Sequence, residues 1–168
     1  DAAVLMRHWT RHSRAVVCTP HEAEFARLLG TALPLEWDAR VDALRQFAVR
    51  GGVTVLLKGT PTLIATPDGG PITVVPHGTP LLATGGSGDV LSGLIVALLG
   101  QGLAPLEAAV CGASVHGRAA EIATAHTVAI PQPLLSCRIV CSSRVNADFW
   151  MDDATGHIIS GEAAVWEM

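Results

Sequence analysis

The sequence predicts an α/β protein, a sheet with parallel strands covered by helices, and three observations carry that expectation. Ala15-Val16-Val17-Cys18 is a short apolar run that stops at a helix-start signal. Val53-Thr54-Val55-Leu56-Leu57 is apolar on both faces, as a strand in the middle of a parallel sheet is. Gly85-Gly86-Ser87-Gly88 opens straight into an apolar helical pattern, the usual layout of an anion-binding turn.

Taken in order, the first run is a buried strand over 15–18. Thr19-Pro20-His21-Glu22 then has the form of a capping box, with Thr19 as cap, Pro20 at the first helical position and Glu22 three residues after the cap. The helix that follows puts Phe25, Leu28 and Leu29 on one face and stops near Gly30. Asp38 can cap a second helix, with Val41, Leu44, Phe47 and Ala48 at helical spacing and Gly51-Gly52 as its stop. The strand over 53–57 comes next. Residues 62–66 and 72–75 flank Pro67-Asp68-Gly69-Gly70, which predicts an antiparallel hairpin. The glycine turn leads into a helix from Asp89 to about Gln101, and a last helix runs from about Pro105 to Ala125.

Composition excludes several classes. In 168 residues, 49% are hydrophobic and 15% charged, which is incompatible with disorder. The net charge of −4 argues against a nucleic-acid partner. The longest apolar stretch, residues 90–100, is interrupted by Ser92 and Gly93 and falls well short of the ~20 residues that span a bilayer. No secretory leader pattern opens the chain. Cys18, Cys111, Cys137 and Cys141 show no disulfide framework, and the C-x3-C pair at 137 and 141 lacks the second pair of a zinc site. A reduced, cytoplasmic protein without membrane or nucleic-acid contacts is the expectation. Beyond about residue 125 the periodicity is poor, and residues 126–168 are expected to form an atypical tail. The chain begins at Asp1 without a methionine, so a fragment, a processed form or a partial gene model is expected.

The chemistry centres on Ala83-Thr84-Gly85-Gly86-Ser87-Gly88-Asp89-Val90-Leu91. The free N–H groups and positive dipole end of the following helix, set behind Gly85, Gly86, Ser87 and Gly88, suit a phosphate. Asp89 in the first turn either accepts a proton from a substrate hydroxyl, holds a metal through water, or merely complements the dipole. Lys58 is the only lysine in the chain and follows the best strand, where α/β sheets bind ligands, although a surface lysine would look the same. His21 and Glu24 lie three apart at a strand-to-helix turn and can face one crevice. Glu24 there could hold a water-bound Mg²⁺ or lie on a solvated helix face. His116 fits a satisfied structural histidine, and His77 joins no constellation.

Together, Thr19-Pro20-His21-x-x-Glu24-Phe25, Leu57-Lys58-Gly59-Thr60-x-Thr62, residues 83–93 with Gln101-Gly102, and His116-Gly117 resemble the ADP/ATP-dependent NAD(P)H-hydrate dehydratases. That resemblance covers residues 1–125 and implies a ribokinase-like α/β/α sandwich. It implies nucleotide-dependent dehydration of hydrated NADH or NADPH, by phosphorylation of the hydroxyl and elimination of phosphate, with Mg²⁺ and ADP or ATP. Carried over by position, His21 and Asp89 contact the dinucleotide, and Asp89 is the catalytic residue. Lys58, Gly59, Thr60, Pro61, Thr62 and Gly88 contact the adenine nucleotide. A homo-oligomer and a fused or separate epimerase are the implied partners. Two departures stand out: Gly78-Thr79-Pro80-Leu81-Leu82-Ala83 replaces the usual Gly-Asn-Pro-Gly-Met-Ala, and Asp1-Ala2-Ala3-Val4-Leu5 replaces Asp-Ala-Asp-Ala-Leu. A small-molecule kinase of the same fold, or a non-catalytic nucleotide-binding remnant, are the competing readings.

Overall fold

The computed structural model describes residues 15–126, 150–152, 157–159 and 163–166. Seven strands and four helices follow one another as β1 (Ala15–Cys18), α1 (Glu22–Leu29), α2 (Trp37–Gly51), β2 (Thr54–Leu57), β3 (Thr62–Ala65), β4 (Thr73–Val75), α3 (Ser87–Gly100), α4 (Pro105–His126), β5 (Trp150–Asp152), β6 (His157–Ile159) and β7 (Ala163–Trp166). The main sheet has the order β4-β3-β2-β1-β7, and β5 with β6 forms a separate antiparallel pair. β1 is parallel to both β2 and β7. β2 meets β3 antiparallel, and β3 meets β4 antiparallel, so the expected hairpin is present. The sheet is therefore mixed: β2 is parallel on one side only, yet every one of its residues is buried.

Alternation along the strands builds two cores. Val16, Cys18, Val55, Leu57, Leu63 and Ala65 point to one side, where Phe25 of α1 and Leu44 and Ala48 of α2 close over them. Val17, Leu56, Ile64 and Val75 point to the other, against Leu91, Ile95 and Leu99 of α3 and the alanines 108, 109 and 113 of α4. Helices on both faces of one sheet give the three layers that the apolar pattern predicts. Each fully buried large side chain contributes roughly 1.5–3 kcal/mol to this arrangement. Phe25 also meets Phe47 edge to face, with ring centroids 5.3 Å apart.

Three helix starts differ from the sequence expectation. His21, not Thr19, caps α1, and Glu24, not Glu22, closes the capping box. Strand pairing decides this: Pro20 and His21 still belong to the extended ladder beside Lys58, so the helix cannot begin earlier. α2 begins at Trp37 after Glu36, which makes no side-chain cap, so Asp38 lies inside the first turn. α3 begins at Ser87, so half of the glycine turn is already helical. Among the described residues no helix is long and apolar enough to cross a membrane. Asp1-Ala2-Ala3-Val4-Leu5, Cys137 and Cys141 lie outside the described residues, and of the expected tail β7 joins the main sheet beside β1.

Candidate active site

The C-terminal ends of β1 and β2 open into one cleft. His21 follows β1 and Lys58 follows β2, and the parallel pairing that binds these strands extends to a bridge between the two residues. The Lys58 N–H donates to the Pro20 carbonyl at 2.8 Å, which fixes the two loops side by side. The cap then locks His21. Its backbone N–H donates to Glu24 Oε2 at 2.7 Å, and the Glu24 N–H donates to His21 Nδ1 at 3.2 Å. Glu24 is buried; its Oε1 lies 3.2 Å from His21 Nε2 and its Oε2 3.9 Å from Lys58 Nζ. One carboxylate thus lies beside both the His21 ring and the Lys58 ammonium.

The glycine turn faces this pair. Gly86 is the cap of α3 with φ +86°, a left-handed conformation that a side chain would strain. Thr84 Oγ1 donates to the Leu81 carbonyl and Ser87 Oγ to the Leu82 carbonyl, so the hydroxyls of this segment brace its own backbone. The Ser87 N–H is used by Thr84. The next amides of the first turn, at 88 and 89, stand outside the intrahelical ladder and are free for an anion. Thr19 Oγ1 and Ser92 Oγ, 3.5 Å apart and buried, tie the end of β1 to the same helix.

The cleft has a volume of about 540 Å³, within the range of small-molecule sites. Of the residues singled out in the sequence, His21, Glu24, Lys58, Gly59, Thr60, Thr62, Gly85, Gly86, Ser87 and Gly88 line it. Pro61 and Asp89 do not. Pro61 follows a cis peptide bond in the loop between β2 and β3, and Asp89 is exposed one residue beyond Gly88.

The far wall was not expected, although Gly78 and His116-Gly117 stood among the motif residues. His77 and Gly78 line the cleft here, together with Ala113, His116 and Gly117 of α4. His116 is buried at 6% exposure, its Nε2 has no partner, and burial pushes its pKa down to about 4. It lines the cleft with an unpartnered nitrogen, so it is not the satisfied histidine of the sequence expectation. Gly117 has a steric reason: a Cβ there would stand 2.6 Å from the His77 carbonyl oxygen. Glu121 Oε1 accepts the Gly78 N–H at 3.0 Å with His77 Nδ1 3.5 Å away, while Arg118 Nη1 donates to Oε2 at 2.9 Å. The Arg118 hydrogen bond, followed by that of Gly78, holds the Glu121 carboxyl below its usual range. The His-Gly pair at 116–117 was the local signal available; nothing local links 77 to 121.

Among the described residues no group of three or more His, Cys, Asp or Glu could hold a metal ion. Mg²⁺ needs less than that, because it keeps several waters and binds through phosphates with one or two carboxylates. Glu24 fits such a role only through water, since its oxygens already face His21 and Lys58.

A three-layer α/β/α sheet with a glycine turn feeding a helix and a lysine at a strand end is a ribokinase-like arrangement. A family model described as NAD(P)H-hydrate dehydratase matches residues 1–141, and the chain belongs to that family. It is 49% identical over 128 residues to the bifunctional NAD(P)H-hydrate repair enzyme Nnr of Mycobacterium leprae, covering 76% of this chain and 26% of the relative. To the ADP-dependent (S)-NAD(P)H-hydrate dehydratase of Neisseria meningitidis it is 47% identical over 116 residues, 69% of this chain and 39% of the relative. The crystal structure of the ADP/ATP-dependent NAD(P)H-hydrate dehydratase of Bacillus subtilis, co-crystallised with ATP/Mg²⁺, superposes with a TM-score of 0.68 at 30% identity, covering 78% of this chain and 48% of that one. The chain thus spans between a quarter and a half of the length of these relatives.

Proposed function

We propose that this cleft binds an adenine nucleotide beside a hydrated NADH or NADPH and takes part in its nucleotide-dependent dehydration. The observation that carries the reading is the convergence of His21, the 58–62 loop and the 85–88 turn on one cleft. Lys58 and the loop to Thr62 hold the nucleotide, and Gly88 with the turn receives phosphate charge as it develops. His21 and Asp89 contact the dinucleotide. Asp89 takes the proton of the ring hydroxyl while the hydroxyl oxygen attacks the terminal phosphorus of ADP or ATP, and the bond to the shortened nucleotide breaks. The phosphorylated oxygen then leaves as inorganic phosphate, a proton is lost from the adjacent carbon, and the ring double bond is restored. Glu24 would reach a nucleotide-bound Mg²⁺ through water, and the ion would supply charge neutralisation at the phosphates.

The reading places the protein in the cytoplasm as a homo-oligomer, working with a fused or separate epimerase; its relative in Mycobacterium leprae is named bifunctional. It assigns residues 1–125 to the dehydratase domain and 126–168 to a tail.

A thermal melt with and without ADP and Mg²⁺ tests it, because a ligand that binds only the folded state raises the midpoint. The expected result is a rise lost in Lys58→Ala, followed by recovery of absorbance near about 340 nm from hydrated cofactor. Asp89→Asn should keep the rise and lose the recovery. A stable phosphorylated product in place of free phosphate would replace dehydration with kinase activity.

A further inference from the structure

We propose that Glu121 is a positioning residue for the anion turn, acting through the loop that it pins to α4; the inference deepens the nucleotide reading above and rests on it for the identity of the ligand. Ala113, Gly117 and Glu121 recur every four residues and so share one face of α4, the face that closes the cleft. At Gly117 the helix backbone touches the His77 carbonyl, with no room for a side chain between them. One turn further on, Glu121 Oε1 accepts the Gly78 N–H at 3.0 Å, and Arg118 steadies the other oxygen. From Gly78 the support runs without interruption to the turn. Thr79 Oγ1 accepts the Leu81 N–H at 3.2 Å and starts a short 3₁₀ turn over Pro80–Leu82. The Leu81 and Leu82 carbonyls then receive the Thr84 and Ser87 hydroxyls. A carboxylate on α4 therefore anchors the far end of a braced segment whose near end is the phosphate-binding backbone.

The test compares the full chain with Glu121→Ala and Glu121→Gln, reading amide hydrogen exchange and the Kd for ADP with Mg²⁺. Glutamine still offers an oxygen to Gly78, whereas alanine offers none. In Glu121→Ala, exchange at Gly78 and at 84–88 should rise about tenfold, while that of β1 and β2 stays unchanged. The Kd should rise by a similar factor, and Glu121→Gln should restore both. Unchanged exchange at 84–88, a uniform rise across the protein, or failure of glutamine to restore the alanine effect would each overturn the inference. If the wild-type chain binds no ADP, the nucleotide reading fails, and the exchange data alone still decide whether Glu121 holds the turn.

Discussion

Lys58 and Glu24 meet in the cleft, Nζ to Oε2 at 3.9 Å, although one follows β2 and the other lies in the first turn of α1. The same Glu24 oxygen accepts the His21 amide, so a single carboxylate serves as helix cap and as counter-charge for the site. These two tasks can be separated by substitution, because a capping box accepts glutamine as well as glutamate. Glu24→Gln should melt within about 1 kcal/mol of the wild type, whereas Glu24→Ala loses the cap as well, at a cost of about 1 kcal/mol or more. Both should weaken ADP binding. Equal stability of the two variants in denaturant titrations would remove the cap from the argument.

His116 predicts a pH dependence. Its pKa falls from 6.5 to about 4 on folding because burial disfavours the imidazolium. Between those values the unfolded chain binds a proton that the folded chain does not, so stability falls as pH is lowered through the unfolded value towards the folded one. The full loss, reached below the folded pKa, is on the order of 3 kcal/mol. Urea titrations from pH 7 to pH 4 should show this slope, and His116→Leu should flatten it. A slope that survives in the leucine variant would assign it to other groups.

Two glycine-to-alanine substitutions should move in opposite directions. Both positions lie in helices, where alanine is favoured by about 1 kcal/mol on propensity. At Gly93 an added Cβ meets nothing within 4 Å, and Gly93→Ala should raise the melting temperature. At Gly117 it meets the His77 backbone at 2.6 Å, and the overpacking cost of about 1–3 kcal/mol should outweigh the propensity gain. Gly117→Ala should also weaken ADP binding, since the contact supports the cleft wall. A neutral Gly117→Ala in both melting and binding would mean that the loop moves aside freely.

Cys18 and Cys111 should differ in reactivity. Cys18 is buried, and burial pushes its thiol up to about 12, while Cys111 is exposed. In a background carrying Cys137→Ser and Cys141→Ser, native alkylation should mark Cys111 alone, with Cys18 joining only in denaturant. Mass spectrometry of the alkylated chain reads this directly, and prompt native labelling of Cys18 would contradict the burial of β1.

Much of the scaffold was legible because it rests on local pattern. The 15–18 run, the 62–75 hairpin and the placement of Lys58 at a strand end all follow from apolar period and turn residues. The start of α1 was not legible, since Thr19 with Glu22 and His21 with Glu24 satisfy the same spacing. The choice between them belongs to the Pro20–Lys58 ladder, which is a tertiary contact. The near wall of the cleft was found because the glycines, the lone lysine and a His-Glu pair three apart at a strand-to-helix turn are distinctive in the sequence. Gly78 and His116-Gly117 were seen as parts of the resemblance, and the far wall they build was not legible because Glu121 and Gly78 are distant in sequence and joined only by packing. Asp89 was chosen for its place in the first turn, and the fold leaves it exposed there, outside the cleft lining.

Gly117 meets His77 through the carbonyl, and Glu121 holds the next residue through its amide. The support of this rim is written chiefly in the main chain, and the side chain at position 77 adds one contact to it, His77 Nδ1 to Glu121 Oε1 at 3.5 Å. A lineage can therefore rewrite the group shown to the ligand there while leaving the scaffold beneath it intact, and ligand preference has a place to diverge at little structural risk.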